Sequence, residues 1–152
     1  MTGTTAWIHP LTQESVGIPT HTEVAGSHCR TVHGLFDEWA EGLGFPAHFG
    51  RNWDALRDSL GDAAANTDLD APDPHNPPPL TIILREAGDL LTDEPPQALR
   101  ILLSILDERA GDDPAAPKLL LLLDDTPDLL SRLAQRMTEA GYPPCAAPGP
   151  RR

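Results

Sequence analysis

Two short apolar runs without polar alternation constrain the fold of this chain more than any other feature. LTIILRE (80–86) and KLLLLLDD (118–125) have the length and composition of strands buried on both faces. Between them, the spacing of apolar residues predicts an amphipathic helix from about Gln97 to Ala110. Its buried stripe is predicted to consist of Leu99, Leu102, Leu103 and Leu106, widened by Ile101 and Ile105. Two strands joined through a helix run parallel, so this region predicts a parallel sheet.

The other elements follow from apolar spacing and from end signals. The predicted set is a strand at 21–26, a helix from Thr31 to about Leu43, a helix at 53–60, a short turn at 87–91 and a helix from Pro127 to Gly141. Asn52 is the predicted N-cap of the second helix and Gly61 its end, while Asp125 or Thr126 caps the last helix. Residues 1–19 show no period. The order predicts one α/β domain with a three-stranded parallel sheet over 1–152.

Residues 62–79 separate the second helix from the first apolar run and have a distinct composition. They include five prolines and no lysine or arginine. The acidic residues here are Asp62, Asp68, Asp70 and Asp73. This composition predicts a solvated acidic loop.

The charge balance excludes several classes of partner. The chain has 23 acidic and 11 basic residues, for a formal net charge of -12. Nucleic acid and anionic membranes repel such a protein, so neither is expected as a direct partner. The charge favours a basic partner, although solubility alone also explains it. Two cysteines cannot form a disulfide framework, and no signal-peptide pattern or membrane-length apolar run occurs, so we expect a cytoplasmic protein that is monomeric when free.

The most informative stretch is FPAHFGRNWDALRDSL (45–60), a loop with aromatic rings that leads into the second predicted helix. Asp54 and Asp58 lie four residues apart, hence on one face of that helix, where like charges destabilise an isolated helix by a few tenths of a kcal/mol. Binding of a cationic partner offsets such a repulsion. The structural alternatives are that Asp54 suits the positive field of the helix N-terminus, and that Asp58 is solvated or paired with Arg51 or Arg57.

This stretch resembles the barstar family, the intracellular inhibitors of secreted guanyl-specific ribonucleases. The resemblance rests on Pro46, His48, Phe49, Gly50, Arg51, Asn52, Trp53, Asp54, Ala55, Leu56, Arg57, Asp58 and Leu60. The order of elements over about 20–124 agrees with it, whereas the N-terminal stretch, 62–79, the helix at 126–141 and the tail at 142–152 look like additions. The resemblance implies that the second helix and its preceding loop plug a ribonuclease active site, with carboxylates replacing RNA phosphates.

The family's binding residues carry over position by position. Asp58 matches the aspartate that enters the enzyme's phosphate pocket, and Asp54 matches its partner one turn earlier. The other matches are His48 and Phe49 to two loop tyrosines, Gly50 and Asn52 to the turn, and Glu108 to an accessory glutamate, while Trp53 is expected to supply contact area. Arg51 and Arg57 depart from the family pattern. A cation at either position repels a basic active site. The resemblance therefore implies a basic ribonuclease or a related nuclease toxin as the partner, with no catalysis and no cofactor.

Other residues of the sequence offer two alternative functions. Asp124 and Asp125 end a buried strand, where α/β enzymes place catalytic acids, but capping of the next helix explains them more simply. His28, Cys29 and His33 offer metal-ligand side chains, but no second cluster completes a tetrahedral site. A small metal-dependent hydrolase that uses these aspartates and a histidine is one alternative function. A regulatory interaction domain on the same fold, working through its last helix and acidic loop, is the other.

Overall fold

The computed structural model of the protein describes residues 5–11, 22–45, 50, 52–69, 80–111 and 117–145. The strands are β1 (Ile8–Pro10), β2 (Thr22–Ala25), β3 (Leu80–Arg85) and β4 (Leu119–Asp124). The helices are α1 (Val32–Leu43), α2 (Trp53–Leu69), α3 (Pro96–Ala110) and α4 (Pro127–Glu139). Single 3-10 turns follow β2 at Gly26–His28 and β3 at Ala87–Asp89. The α/β class is confirmed.

All neighbouring strands of the sheet are parallel, and their order is β1-β4-β3-β2. Ile82 of β3 is paired with Leu121 of β4 on one side and with Thr22 of β2 on the other. The two apolar runs therefore occupy the two central positions, and most of their residues are buried, as their lack of alternation predicted.

The prediction of three strands is wrong, because β1 adds a fourth strand beside β4. Ile8 is paired with Leu121, and the Leu121 N–H donates to the Trp7 carbonyl at 2.8 Å. Three residues are too few to show a period, and Pro10 argued against a strand. Proline is tolerated there because β1 lies at the edge of the ordered sheet and does not need a second row of ladder bonds.

The predicted end of α2 at Gly61 is also wrong. The helix continues through Gly61 to Leu69, and residues 70–79 of the predicted loop lie outside the described residues. Glycine within a helix costs only about 1 kcal/mol, and the alanines that follow favour helix strongly. Glycine also suits this position, because a Cβ there would lie 2.9 Å from the Arg109 Nη1 atom of α3.

The start of the predicted C-terminal tail is packed in the fold rather than free. The Thr5 N–H donates to the Pro143 carbonyl at 2.6 Å, and the Cys145 N–H donates to the Ile8 carbonyl at 2.9 Å. The rings of Trp7 and Tyr142 lie 6.4 Å apart. We call residues 5–11 together with 142–145 the terminal clasp. It brings these two segments together on the side of β4 away from β3.

Helix ends follow their sequence signals. Thr31, Asn52 and Thr126 each accept a hydrogen bond from the N–H three residues ahead, at 3.1, 2.8 and 3.3 Å. Gly44 ends α1 in the left-handed conformation, with φ 70°. Trp39 is fully buried, but Ile101 is 37% exposed and does not belong to the buried stripe of α3, contrary to the prediction. Within the described ranges, none of the helices has the length and apolarity needed to cross a membrane.

Candidate functional site

Helix α2 is oriented by its apolar side. Leu56 and Leu60 are fully buried, and the half-buried Trp53 meets the ring of Phe36 edge-on, with centroids 5.1 Å apart. Asn52 caps the helix through the Ala55 N–H. Because these contacts fix the rotation of the helix about its axis, its polar side faces outward.

The outward side presents three aspartates at four-residue intervals, Asp54, Asp58 and Asp62, which we call the acidic face. The Asp54 side chain is 91% exposed, and Asp58 and Asp62 are exposed as well. Asp58 has neither an ion pair nor a hydrogen bond among the described residues. Its charge is therefore available to another molecule without first breaking an internal contact.

The sequence analysis did not predict Asp62 as a site residue, because α2 was predicted to end at Gly61, which placed Asp62 in a loop. The four-residue spacing after Asp58 was the signal that could have found it. The continuation of the helix puts Asp62 on the same side as Asp58.

Arg57 points toward α3 and not toward Asp58. Its Nε atom lies 3.2 Å from Glu108 Oε2, and its Nη1 atom lies 3.4 Å from Asp54 Oδ1. The Nε atom is shielded from solvent and lacks hydrogen-bond geometry to any acceptor, so the contact with Glu108 is electrostatic. Glu108 also lies 3.7 Å from Arg109 Nη2. The structure thus brings Glu108, far away in sequence, to the acidic face, and the suggested Asp58–Arg57 pair does not form.

The loop before α2 is described only in part. His48 and Phe49, predicted to contact the partner, and Arg51 lie outside the described residues. Gly50 is exposed, and its carbonyl accepts a bond from Asn52 Nδ2 at 3.3 Å. Asn52 therefore stabilises the turn and also caps the helix, the two roles predicted from its position in the sequence.

The aspartates at the carboxyl end of β4 have structural partners. Arg85 Nη1 donates to Asp124 at 2.9 Å, and Arg85 Nε donates to Glu23 at 2.9 Å, which links β2, β3 and β4. The bonds to Glu23 and then Asp124 raise the pKa of Arg85. Asp125 accepts from the backbone N–H groups of Gly88 and Thr126, both at 2.8 Å. These contacts account for both aspartates without a catalytic role.

The side chains weighed as metal ligands point to different environments. His28 Nδ1 lies 3.0 Å from Glu38 Oε1 at the surface, while Cys29 is fully buried. Burial and the charge of Glu38 raise the pKa of the Cys29 thiol to about 12, which disfavours the thiolate that metals bind. His33 is exposed on α1. In the part of the chain that the structure describes, no three His, Cys, Asp or Glu side chains are grouped to hold a metal.

Comparison with known proteins relates the described site to one family. A family model described as Barstar (barnase inhibitor) matches residues 20–122, which include β2, α1, α2, β3, α3 and most of β4. A search of curated proteins finds no match. The matched range contains the acidic face and Glu108, and it leaves out β1, α4 and the terminal clasp.

Proposed function

The chain belongs to the barstar family, and we propose that it binds and blocks the active site of a basic ribonuclease or a related nuclease toxin. Members of this family are inhibitors rather than enzymes. The observation that carries the proposal is the exposed Asp58 at the centre of the acidic face, which has no partner in the described part of the chain and lies within the family-matched range. A carboxylate in this position takes the place of an RNA phosphate, since a guanidinium fork binds both groups in the same bidentate way.

The geometry supports inhibition by occupation of the active site. A helix side chain projects a short, rigid carboxylate, and the N-cap at Asn52 and the ring contact of Trp53 hold the helix in place. Asp58 loses no partner among the described residues on binding, so its main penalty is loss of hydration. In a water-excluded nuclease pocket lined by cations, charge-assisted hydrogen bonds offset that penalty.

The overall charge of the protein supports rapid association. The formal charge of -12 attracts a basic enzyme over distances comparable to the Debye length, about 10 Å at 0.1 M salt. The on-rate is expected to fall as salt rises. The off-rate depends on close contacts and is expected to change much less.

The decisive experiment separates local contact from overall charge. The wild-type chain, Asp58→Asn and Asp128→Asn are used as baits in lysate and culture fluid of the native cell. Both substitutions remove one negative charge from an exposed helical aspartate. Asp128 follows the carboxyl end of β4, whereas Glu108 beside the acidic face lies near its amino end, about 20 Å away along a six-residue strand.

We expect a small basic nuclease to bind wild type and Asp128→Asn, and to leave Asp58→Asn about a hundredfold faster. Removing one partner of a buried ion pair costs about 3 kcal/mol, which corresponds to that factor. The nuclease assay is expected to show inhibition that is lost in parallel. An unchanged complex half-life for Asp58→Asn excludes Asp58 from the interface. A different protein held equally by all three baits would favour the interaction-domain alternative.

A further inference from the structure

The acidic face is flanked by a cation, Arg57, that the chain holds in place. Arg57 lies between Asp54 and Asp58 along α2, and its guanidinium is drawn toward Asp54 and Glu108 at 3.4 and 3.2 Å. The side chain is 39% exposed although its Nε atom is shielded, so a molecule approaching α2 reaches the rest of it.

This arrangement divides the surface into charges of alternating sign. Asp54 and Glu108 already face Arg57, and Glu108 also faces Arg109, so these four groups are balanced by one another. Asp58 and, one turn further along the helix, Asp62 have no internal partner among the described residues. A docking protein therefore meets negative charge with a cation beside it, rather than a uniformly acidic surface.

Resting on the proposed function, we propose that Arg57 determines which nuclease the chain accepts. The accepted target presents a cationic pocket for Asp58 and, beside it, a carboxylate that binds the outer N–H groups of Arg57. A nuclease whose active-site rim is uniformly cationic gains the contact with Asp58 but places a like charge against Arg57, and this repulsion excludes it. Arg57 thus adds a requirement that Asp58 alone does not impose.

Rotation of Arg57 away from an incoming cation does not remove the repulsion. The helix backbone fixes its Cα beside the acidic face, and its buried Nε atom lies against Glu108 of α3. A displaced guanidinium would also leave Glu108 without its closest cation among the described residues. The position of Arg57 is therefore set by the same contacts that balance the face.

A purely structural role for Arg57 makes a different prediction. If it only bridges α2 and α3, its loss weakens folding and lowers affinity for every nuclease in the same direction. If it determines specificity, its loss changes affinity in opposite directions for two nucleases. The sign of the change separates these roles, whatever happens to stability.

The experiment uses the full chain and two purified nucleases. One is barnase, the ribonuclease named in the family's description, whose active site presents Arg, Lys and His side chains to carboxylates on the family's pattern. The other is the nuclease captured from the native cell by the wild-type chain. Binding kinetics are measured for wild type, Arg57→Gln and Arg132→Gln, where Arg132 is an exposed residue of α4 that controls for the loss of one positive charge.

We expect Arg57→Gln to bind barnase at least about tenfold more tightly than wild type does, with the gain shrinking at high salt, and to bind the native nuclease about tenfold more weakly. Arg132→Gln should change both affinities equally and slightly. An Arg57→Gln effect of the same sign on both nucleases, or no effect on barnase, overturns the proposal. Failure of the proposed function is distinct, because then Asp58→Asn leaves the native complex unchanged.

Discussion

The terminal clasp and the acidic face of α2 differ in whether their polar groups have partners within the chain. In the clasp, the indole N–H of the buried Trp7 donates to Asp107 at 2.9 Å, and the backbone of 143–145 is bonded to Thr5 and Ile8. On the acidic face, Asp58 has no internal partner among the described residues and lies in a row of like charges. The clasp satisfies its groups within the chain, whereas the face keeps a charge available.

This difference separates stability from recognition within one small domain. The family-matched range carries the acidic face, while the clasp lies wholly outside that range. An edge strand with open N–H and C=O groups invites pairing with other chains, and the clasp covers that side of β4. We infer that the ends of the chain stabilise the sheet that supports α2. Substitutions in the two regions should therefore affect different measurements.

The largest effect on folding is expected from Trp7→Ala. Trp7 is 3% exposed, and truncating a buried tryptophan typically lowers the free energy of unfolding by about 3–5 kcal/mol. Urea denaturation measures this loss, and Trp7→Phe should retain a good part of the stability while losing the bond to Asp107. Binding by the fraction that remains folded should be unchanged. A matching loss of affinity in that fraction would break the separation between clasp and face.

Alkaline pH is expected to lower the free energy of unfolding by a smaller amount. The groups responsible are Cys29, in the family-matched range, and Tyr142, in the clasp. The pKa of the Cys29 thiol is raised from 9.0 to about 12 in the folded protein, mainly by burial. Above pH 9 the unfolded chain therefore loses a proton that the folded chain keeps, so stability falls by about 1.4 kcal/mol per pH unit until the folded thiol ionises near pH 12. Burial also raises the pKa of Tyr142 in the clasp, which acts in the same direction.

Two variants separate the contribution of Cys29 to this pH dependence from that of Tyr142. Stability is measured by urea denaturation between pH 8 and 11 for wild type, Cys29→Ala and Tyr142→Phe. We expect Cys29→Ala to flatten the decline from pH 9 upward, and Tyr142→Phe to flatten it only near the upper limit, because phenols ionise at higher pH than thiols. A slope in Cys29→Ala equal to that of wild type would mean that the thiol is not protected by folding.

The smallest effect on folding is expected from Asp58→Asn, the variant with the largest expected effect on binding. Removing one of the three like charges spaced by four residues should raise the free energy of unfolding by a few tenths of a kcal/mol. Urea denaturation at low and high salt tests this, since salt should reduce the gain. A clear loss of stability would show that Asp58 has a structural partner. It would then belong with the clasp residues in this comparison, not with the binding face.

The sequence predicted those features whose physical cause lies within a few neighbouring residues. Asn52, Thr31 and Thr126 were recognised as caps or cap candidates because one side chain satisfies one nearby N–H group. The continuation of α2 past Gly61 was not predicted, because a glycine after an apolar stretch is also the usual signal of a helix end. β1 was missed because its pairing with β4 depends on contacts across more than a hundred residues.

The amino-acid sequence by itself determined the α/β class, the parallel pairing of the two apolar runs, the caps and the four-residue spacing of Asp54 and Asp58. These features depend on periodicity and on bonds between neighbours in the chain, which the order of residues specifies directly. Only the tertiary structure decided that Arg57 faces Glu108, that Asp58 stays unpaired among the described residues, and that the two ends meet beside β4. Those outcomes depend on which distant surfaces the packing of α2 on α3 and of β1 on β4 brings within a few ångströms.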